Sequence, residues 1–192
     1  MNLGQTLLSA AALVLLTVMV INANRLIVQS GKDFMLAEAT DVGTGLAESL
    51  IQEIETKKFD MSDDGSGTQS LYYFNDPGYM GPSTYEMSYV VLPDTSWTGR
   101  FKSIRFCNAC NQGYDDVDDY NGYIRIVDTD GVKGFQINVT VYYVKDAKPD
   151  VPSSMKTYFK RADIQVTNPY LSAAMNFSTI VPYGLWTGSY GP

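Results

Sequence analysis

An apolar stretch at the start of the chain constrains its fold more than any other feature. Residues 1–24 carry no ionisable side chain, and residues 7–21 are apolar except for Ser9 and Thr17. A helix needs about 20 mostly apolar residues to cross a hydrocarbon core of about 30 Å, and residues 3–23 supply that length. We therefore expect a membrane-spanning helix here. The alternative, a cleaved secretory signal peptide, is disfavoured because no basic residue precedes the apolar run and no good cleavage site follows it.

A second helical pattern follows the apolar stretch. From Arg25, the first charged residue, apolar residues recur at three- and four-residue steps among charged ones as far as Thr56. This spacing is typical of an amphipathic helix. Because the chain has no proline before Pro77, one nearly continuous helix is expected, with its apolar part at 1–24 and its amphipathic part at 25–56.

Glycines are the weak points of this predicted helix. A glycine costs about 1 kcal/mol against alanine in a helix interior. The residues concerned are Gly31, Gly43 and Gly45, and local melting is expected near Gly43 and Gly45 unless packing stabilises the helix there. A plain membrane anchor followed by an unrelated helix is the alternative to one continuous helix.

Residues 57–192 predict a globular head that contains a β-sheet. As far as about Asn121 the head is rich in turns, with short strands expected at 87–92 and 103–106. Beyond it, β-branched and aromatic residues recur in near alternation, interrupted by turns and by a loop at 149–154. The strands predicted there are 123–128, 135–145, 157–167 and 175–182. Strands that follow one another in this way imply an antiparallel meander, so the predicted fold class is α+β, a long N-terminal helix packed on a C-terminal antiparallel sheet.

Composition excludes several classes of function. The chain has no histidine and 2 cysteines in 192 residues, which removes histidine-based catalytic sites and most zinc sites. A net charge of −7 with 14 lysines and arginines argues against a nucleic-acid partner, which needs a concentrated basic surface. The sequence also offers no glycine-rich phosphate loop and no recognisable nucleophile–base pair, so a membrane-tethered enzyme or receptor is disfavoured and we expect no enzyme.

Three segments carry a family resemblance. The opening MNLGQTLL places a glycine before an uncharged run, as the pilin N-terminal region does. Residues 114–122 and 161–171 are similar to segments of some minor and mannose-sensitive-type pilins. Together with the predicted order of helix, loop region and antiparallel sheet, these segments resemble type IV pilins and the related pseudopilins of type II secretion.

The resemblance implies a structural role. It predicts a subunit of an extracellular, cell-surface filament like a type IV pilus, anchored in the inner membrane before assembly. The implied partners are further copies of the chain, the inner membrane and the pilus assembly machinery. The alternative is a minor pilin or pseudopilin of a type II secretion-like machine, which builds only a short assembly. The expected assembly core consists of Gln5, Leu7, Leu8, Leu13, Leu15, Leu16, Val18 and Ile21.

The sequence departs from the family at a position that matters for assembly. Type IV pilins usually have a basic leader that ends in glycine, and a glutamate four positions after the mature start that pairs with a neighbour's N-terminal amine. If Met1 is the mature start, Gln5 stands at that position; if a leader ends at Gly4, Ser9 does. In both cases hydrogen bonds to a neutral side chain would replace the charge pair.

Cys107 and Cys110 form a CxxC motif. A zinc site would need two further soft ligands, which a chain without histidine or other cysteines does not offer. A thioredoxin-like redox motif would need a βαβ unit, whereas the surroundings here predict loop and antiparallel strand. The favoured interpretation is a structural disulfide between the two residues in an oxidising exterior.

An acidic run precedes the first strand of the meander. Five oxygen-bearing side chains fall within seven positions, namely Asp115, Asp116, Asp118, Asp119 and Asn121. Their mutual repulsion must be relieved by solvent or by a cation, for which calcium is one interpretation. Val117 breaks the spacing of an EF-hand loop, and a capped acidic turn that leads into the strand is the favoured alternative. No other cofactor is expected.

Overall fold

One uninterrupted helix, α1, forms the N-terminal part of the chain over Leu3–Glu55. Its 53 residues span about 80 Å at 1.5 Å per residue. The prediction of one continuous helix is thereby confirmed, and the melting expected near Gly43 and Gly45 is wrong, because both residues are helical. This computed structural model describes residues 2–63, 68–82, 89–93, 101–105 and 114–184, the ranges 89–93 and 101–105 by their backbone alone.

Packing explains why the helix persists through Gly43. Gly43 is buried, and a Cβ atom at this position would lie 2.4 Å from Cε of Met175. The absence of a side chain therefore lets the sheet approach the helix closely. This close contact offsets the roughly 1 kcal/mol by which glycine disfavours a helix interior. At Gly45, by contrast, a Cβ atom would meet nothing within 4 Å.

The head is built on one seven-stranded sheet. Its strands are β1 (Tyr89–Pro93), β2 (Phe101–Arg105), β3 (Ile124–Val127), β4 (Phe135–Lys145), β5 (Lys148–Pro152), β6 (Phe159–Thr167) and β7 (Met175–Pro182). The strand order is β2-β1-β3-β4-β6-β7, with β5 also paired to β4. All neighbouring pairs among these strands are antiparallel except β1 and β3, which run parallel. Short 3-10 helices cover Leu71–Tyr73, Pro77–Tyr79 and Asp118–Tyr120. The α+β class with a C-terminal antiparallel sheet is confirmed.

Strand β5 lies where the sequence predicted a loop at 149–154. It contains Pro149 and Pro152, which cannot donate a backbone hydrogen bond, and such residues are confined to sheet edges. Accordingly, β5 pairs with β4 at Val144↔Pro152 and Lys145↔Lys148, with a register shift between them. The two prolines led to the prediction of a loop where the chain forms a short edge strand.

One face of the sheet packs on the second half of α1. Along β4 every second residue is buried, from Phe135 to Tyr143, and along β6 the same holds from Lys160 to Val166. The helix contributes the buried stripe Ala39, Gly43, Ala47, Leu50 and Ile54. Steps of four and three residues keep this stripe on one side of the helix, so the core lies between it and the sheet.

The first half of α1 stands clear of this core. Every residue from 2 to 34 is exposed. The most apolar 18-residue window of the helix has a mean hydropathy of 2.2 and is 0% buried. By length and composition the helix can cross a membrane.

Candidate assembly surface

The apolar part of α1 presents hydrophobic side chains on all sides. Leu13, Val14, Leu15 and Leu16 follow one another at about 100° per residue, so together they surround the helix axis. Each of the four is 58–66% exposed. All the residues predicted to form the assembly core are likewise exposed, namely Gln5, Leu7, Leu8, Leu13, Leu15, Leu16, Val18 and Ile21. No residue of the head that the structure describes covers them, so their burial depends on other molecules.

Hydroxyl groups in this part of α1 are satisfied within the helix. Ser9 Oγ donates to the carbonyl of Gln5 at 2.9 Å, and Thr17 Oγ1 donates to the carbonyl of Leu13 at 2.8 Å. Such bonds to the preceding turn leave neither hydroxyl in need of water. The two polar residues of the apolar run are therefore compatible with a dry environment.

The exposed apolar surface continues onto the head. A groove of about 510 Å³ lies where α1 meets the segment between β6 and β7, lined by Val28, Gly31, Lys32, Met35, Pro169 and Tyr170. Beyond it on the helix, Leu26, Ile27 and Phe34 are 67–70% exposed. These residues follow Arg25 and lie outside the 20-residue segment that a bilayer would cover.

The acidic run folds into a turn that divides its residues between different partners. Carboxylate oxygens of Asp115, Asp116 and Asp119 lie within 4.8 Å of one another, close enough to share one cation. Asp118 instead bonds Lys160. Asn121 donates from Nδ2 to the carbonyl of Met80 at 3.1 Å and accepts from the N–H of Val141 at 3.1 Å. The structure thus gathers three of the five residues that were considered for calcium.

Backbone N–H groups cap this turn. Asp119 Oδ2 accepts from the N–H of Asp115 at 3.0 Å and of Asp116 at 3.3 Å. Asp116 Oδ1 accepts from the N–H of Asp118 at 2.9 Å and of Asp119 at 3.2 Å. Burial raises the pKa of Asp116, and the nearby Asp118 adds to the rise. These contacts are those of a capped acidic turn, and calcium binding stays a prediction.

The acidic turn is tied to the end of α1. Tyr120 donates its hydroxyl to Glu53 Oε1 at 2.7 Å. The N–H of Lys58 donates to the carbonyl of Asp115 at 3.1 Å, and the N–H of Val117 donates to the carbonyl of Lys58 at 3.0 Å. The segment after the helix and the turn before β3 therefore pair like short parallel strands.

A buried ion cluster lies beside this turn. Lys160, on the inner face of β6, is 0% exposed. Its Nζ donates to Asp118 Oδ1 at 2.6 Å, to Asp60 Oδ2 at 3.1 Å and to the carbonyl of Phe59 at 2.5 Å. The ring centroids of Phe59 and Tyr143 lie 4.5 and 5.5 Å from the same nitrogen. The amine is therefore enclosed by two carboxylates and two aromatic rings.

Sequence reasoning did not identify this cluster. One signal was available, because Lys160 stands in alternation with Ala162, Ile164 and Val166 and so occupies the apolar face of its predicted strand. A charged residue on such a face requires a buried partner. The partners could not be named, since Asp118 and Asp60 lie 42 and 100 positions away in the chain.

Cys107 and Cys110 lie outside the described residues. The disulfide between them stays a prediction.

Comparisons with known proteins give no family for this chain. No protein-family model matches it, and neither the curated proteins nor the solved structures contain a significant match.

Proposed function

We propose that this chain is the structural subunit of an extracellular filament of the type IV pilus kind. In this proposal the subunit is anchored in a membrane by the apolar part of α1 before assembly. It then polymerises by burying that part among copies of itself. The head, which has its own core, forms the outer surface of the filament.

The exposed apolar surface of α1 is the observation that carries the proposal. Burying a large apolar side chain is worth about 1.5–3 kcal/mol, and Leu3, Leu8 and Leu15 are 66–81% exposed. A surface of this kind is not stable in water and needs lipid or protein around it. Helices of other copies can replace the lipid, and the run Ala10, Ala11, Ala12 permits close approach of helices.

The residues just beyond the membrane-length segment favour a polymer over a simple anchor. A bilayer would cover residues 3–23, but Leu26, Ile27 and Phe34 would remain outside it and are 67–70% exposed. Neighbouring subunits stacked along the helix would cover these side chains as well. A repeated contact of this kind that does not close on itself produces an open helical fibre.

Electron microscopy of material sheared from the surface of producing cells tests the proposal. We expect filaments in which this chain is the abundant protein by mass spectrometry. Leu15→Asp should abolish them, because an unpaired carboxylate in a dry bundle costs several kcal/mol in every copy. Ser49→Asp is the matched control, since Ser49 is exposed on the amphipathic half of α1.

Two results would contradict the proposal. One is a normal filament yield from Leu15→Asp, which would mean that the apolar helix is not the filament core. The other is the recovery of the wild-type chain only in trace amounts among filaments of another protein, which would favour the minor pilin or pseudopilin role.

A further inference from the structure

The buried cluster around Lys160 has the components of an amide-forming site. An amine, Lys160 Nζ, lies 2.6 Å from one oxygen of a carboxyl group, Asp118 Oδ1, and 3.1 Å from a second carboxyl group, Asp60 Oδ2. Lys160 is 0% exposed, and Asp60 and Asp118 are 1% and 0% exposed. We propose that Lys160 and Asp118 join in an intramolecular amide bond between Lys160 Nζ and Asp118 Cγ.

The burial of the cluster favours this reaction over a permanent ion pair. The charges of Lys160 and Asp118 lose their hydration when they are taken out of water, and an amide bond between the two side chains removes both charges. Desolvation in an apolar pocket activates a lysine amine as a nucleophile. The rings of Phe59 and Tyr143, at 4.5 and 5.5 Å from Nζ, exclude the water that would reverse the reaction by hydrolysis.

The reaction needs no reagent from outside the chain. The lone pair of Nζ attacks Cγ of Asp118, the Nζ–Cγ bond forms and the Cγ–Oδ1 bond breaks. The nitrogen loses two protons, one to Oδ1 along their hydrogen bond and one to Asp60, which returns it to the departing hydroxide. One ammonium and one carboxylate thus become one amide and one water, so atoms and charges balance.

The groups around the cluster suit both the attack and the product. Asn75 Nδ2 donates to Asp118 Oδ2 at 2.7 Å, the oxygen on which negative charge develops during attack and which becomes the amide carbonyl. Asp60 Oδ2 is placed to accept the amide N–H that replaces the ammonium. Asp60 is itself held in place, because its Oδ1 accepts from Ser62 Oγ at 2.9 Å and its Oδ2 accepts from the N–H of Asn75 at 2.9 Å.

Mass spectrometry of the full-length chain, purified in detergent and then denatured, tests the proposal directly. We expect an intact mass lower than that of the sequence by one water molecule. After digestion, we expect a branched peptide that joins residues 118 and 160, and no tryptic cleavage after Lys160. A full intact mass, or a loss of water located elsewhere in the chain, would overturn the proposal and leave a plain ion pair.

Variants separate the chemistry from the fold. Lys160→Arg keeps the positive charge but should restore the full mass. Asp60→Asn keeps the shape of the side chain and removes the base, which contributes about 10²–10⁴-fold to a rate, so mostly unlinked chain is expected. Unchanged linkage in Asp60→Asn would contradict the assigned role of Asp60.

An exposed pair in the same chain provides the control. Lys156 Nζ lies 3.0 Å from Asp76 Oδ1, but this carboxylate is 63% exposed and its charge is stabilised by water. No peptide linked between residues 76 and 156 is expected, and Lys156→Arg should keep the loss of one water. A link at this pair would show that proximity alone produces the bond, which would contradict the argument from burial.

Discussion

The first half of α1, residues 3–34, and its second half, residues 35–55, belong to one helix but have different surroundings. The first half is exposed throughout, and over residues 3–24 it carries no charged side chain and is apolar on all sides. The second half is apolar on one side, and that side, from Ala39 to Ile54, is buried against the sheet. The chain's own sheet thus covers a helix that has a single apolar face, while a helix that is apolar all round needs lipid or other subunits.

The comparison also shows where the stability of the head comes from. Residues 2–34 are all exposed, and the first buried residue of the helix is Ala39, more than one helical turn beyond Phe34. The first half of α1 adds no buried residue to that core. Changes in the two halves should therefore act on different properties, namely assembly for the first half and folding for the second.

Removal of residues 1–24 should have the largest effect. The full-length chain is expected to require detergent or assembly, because its apolar helix cannot remain in water. The truncated chain should be a soluble monomer with an intact sheet. Sedimentation velocity and circular dichroism would check this result. Native-like fibres formed by the truncated chain would show that assembly does not need residues 1–24.

The same substitution in the two halves should give opposite results for folding. Leu50 is 0% exposed and Leu15 is 66% exposed. Leu50→Ala should lower the free energy of unfolding of the head by about 2–5 kcal/mol, since it leaves a cavity in the core. Leu15→Ala, measured in the same detergent by urea denaturation, should leave that free energy unchanged. Equal losses from the two variants would mean that the first half of α1 also belongs to the core.

A side chain at the buried glycine should cause a smaller loss. A Cβ atom at Gly43 would lie 2.4 Å from Met175 Cε and 3.4 Å from Phe135 Cε1. Gly43→Leu should therefore lower the free energy of unfolding by about 1–3 kcal/mol through overpacking. Shortening the opposing side chain in Gly43→Leu/Met175→Ala should recover part of this loss. A stable single variant would contradict the close packing of α1 on the sheet.

The exposed glycine two positions further on should respond in the opposite direction. A Cβ atom at Gly45 would meet nothing within 4 Å. Gly45→Ala should therefore raise the free energy of unfolding by up to about 1 kcal/mol through helix propensity alone. Thermal unfolding of the truncated chain would measure this gain. A loss of stability here would indicate a contact at Gly45 that the helix geometry does not show.

Regular patterns in the sequence predicted much of the fold. The strands expected at 135–145 and 175–182 have the observed bounds of β4 and β7, and the helix ends one residue before the predicted Thr56. Alternation and three- to four-residue periodicity are local properties, because each side chain's face follows from the geometry of its own element. The candidate assembly surface was found in the same way, from an uncharged run in the first 24 residues.

Contacts between distant segments were decided only by the tertiary structure. The parallel pairing of β1 with β3, the edge strand β5 and the close approach of Met175 to Gly43 have no local signature. Lys160 is the clearest case, because the sequence pattern shows that it lies on the apolar face of its strand but does not show that Asp60 and Asp118 are its partners. The sequence by itself determines which face of a helix or strand is apolar, since that depends on neighbouring residues. The carboxylates that bond the amine of Lys160 depend on how the whole chain packs, because Asp118 and Asp60 are 42 and 100 positions away in the sequence.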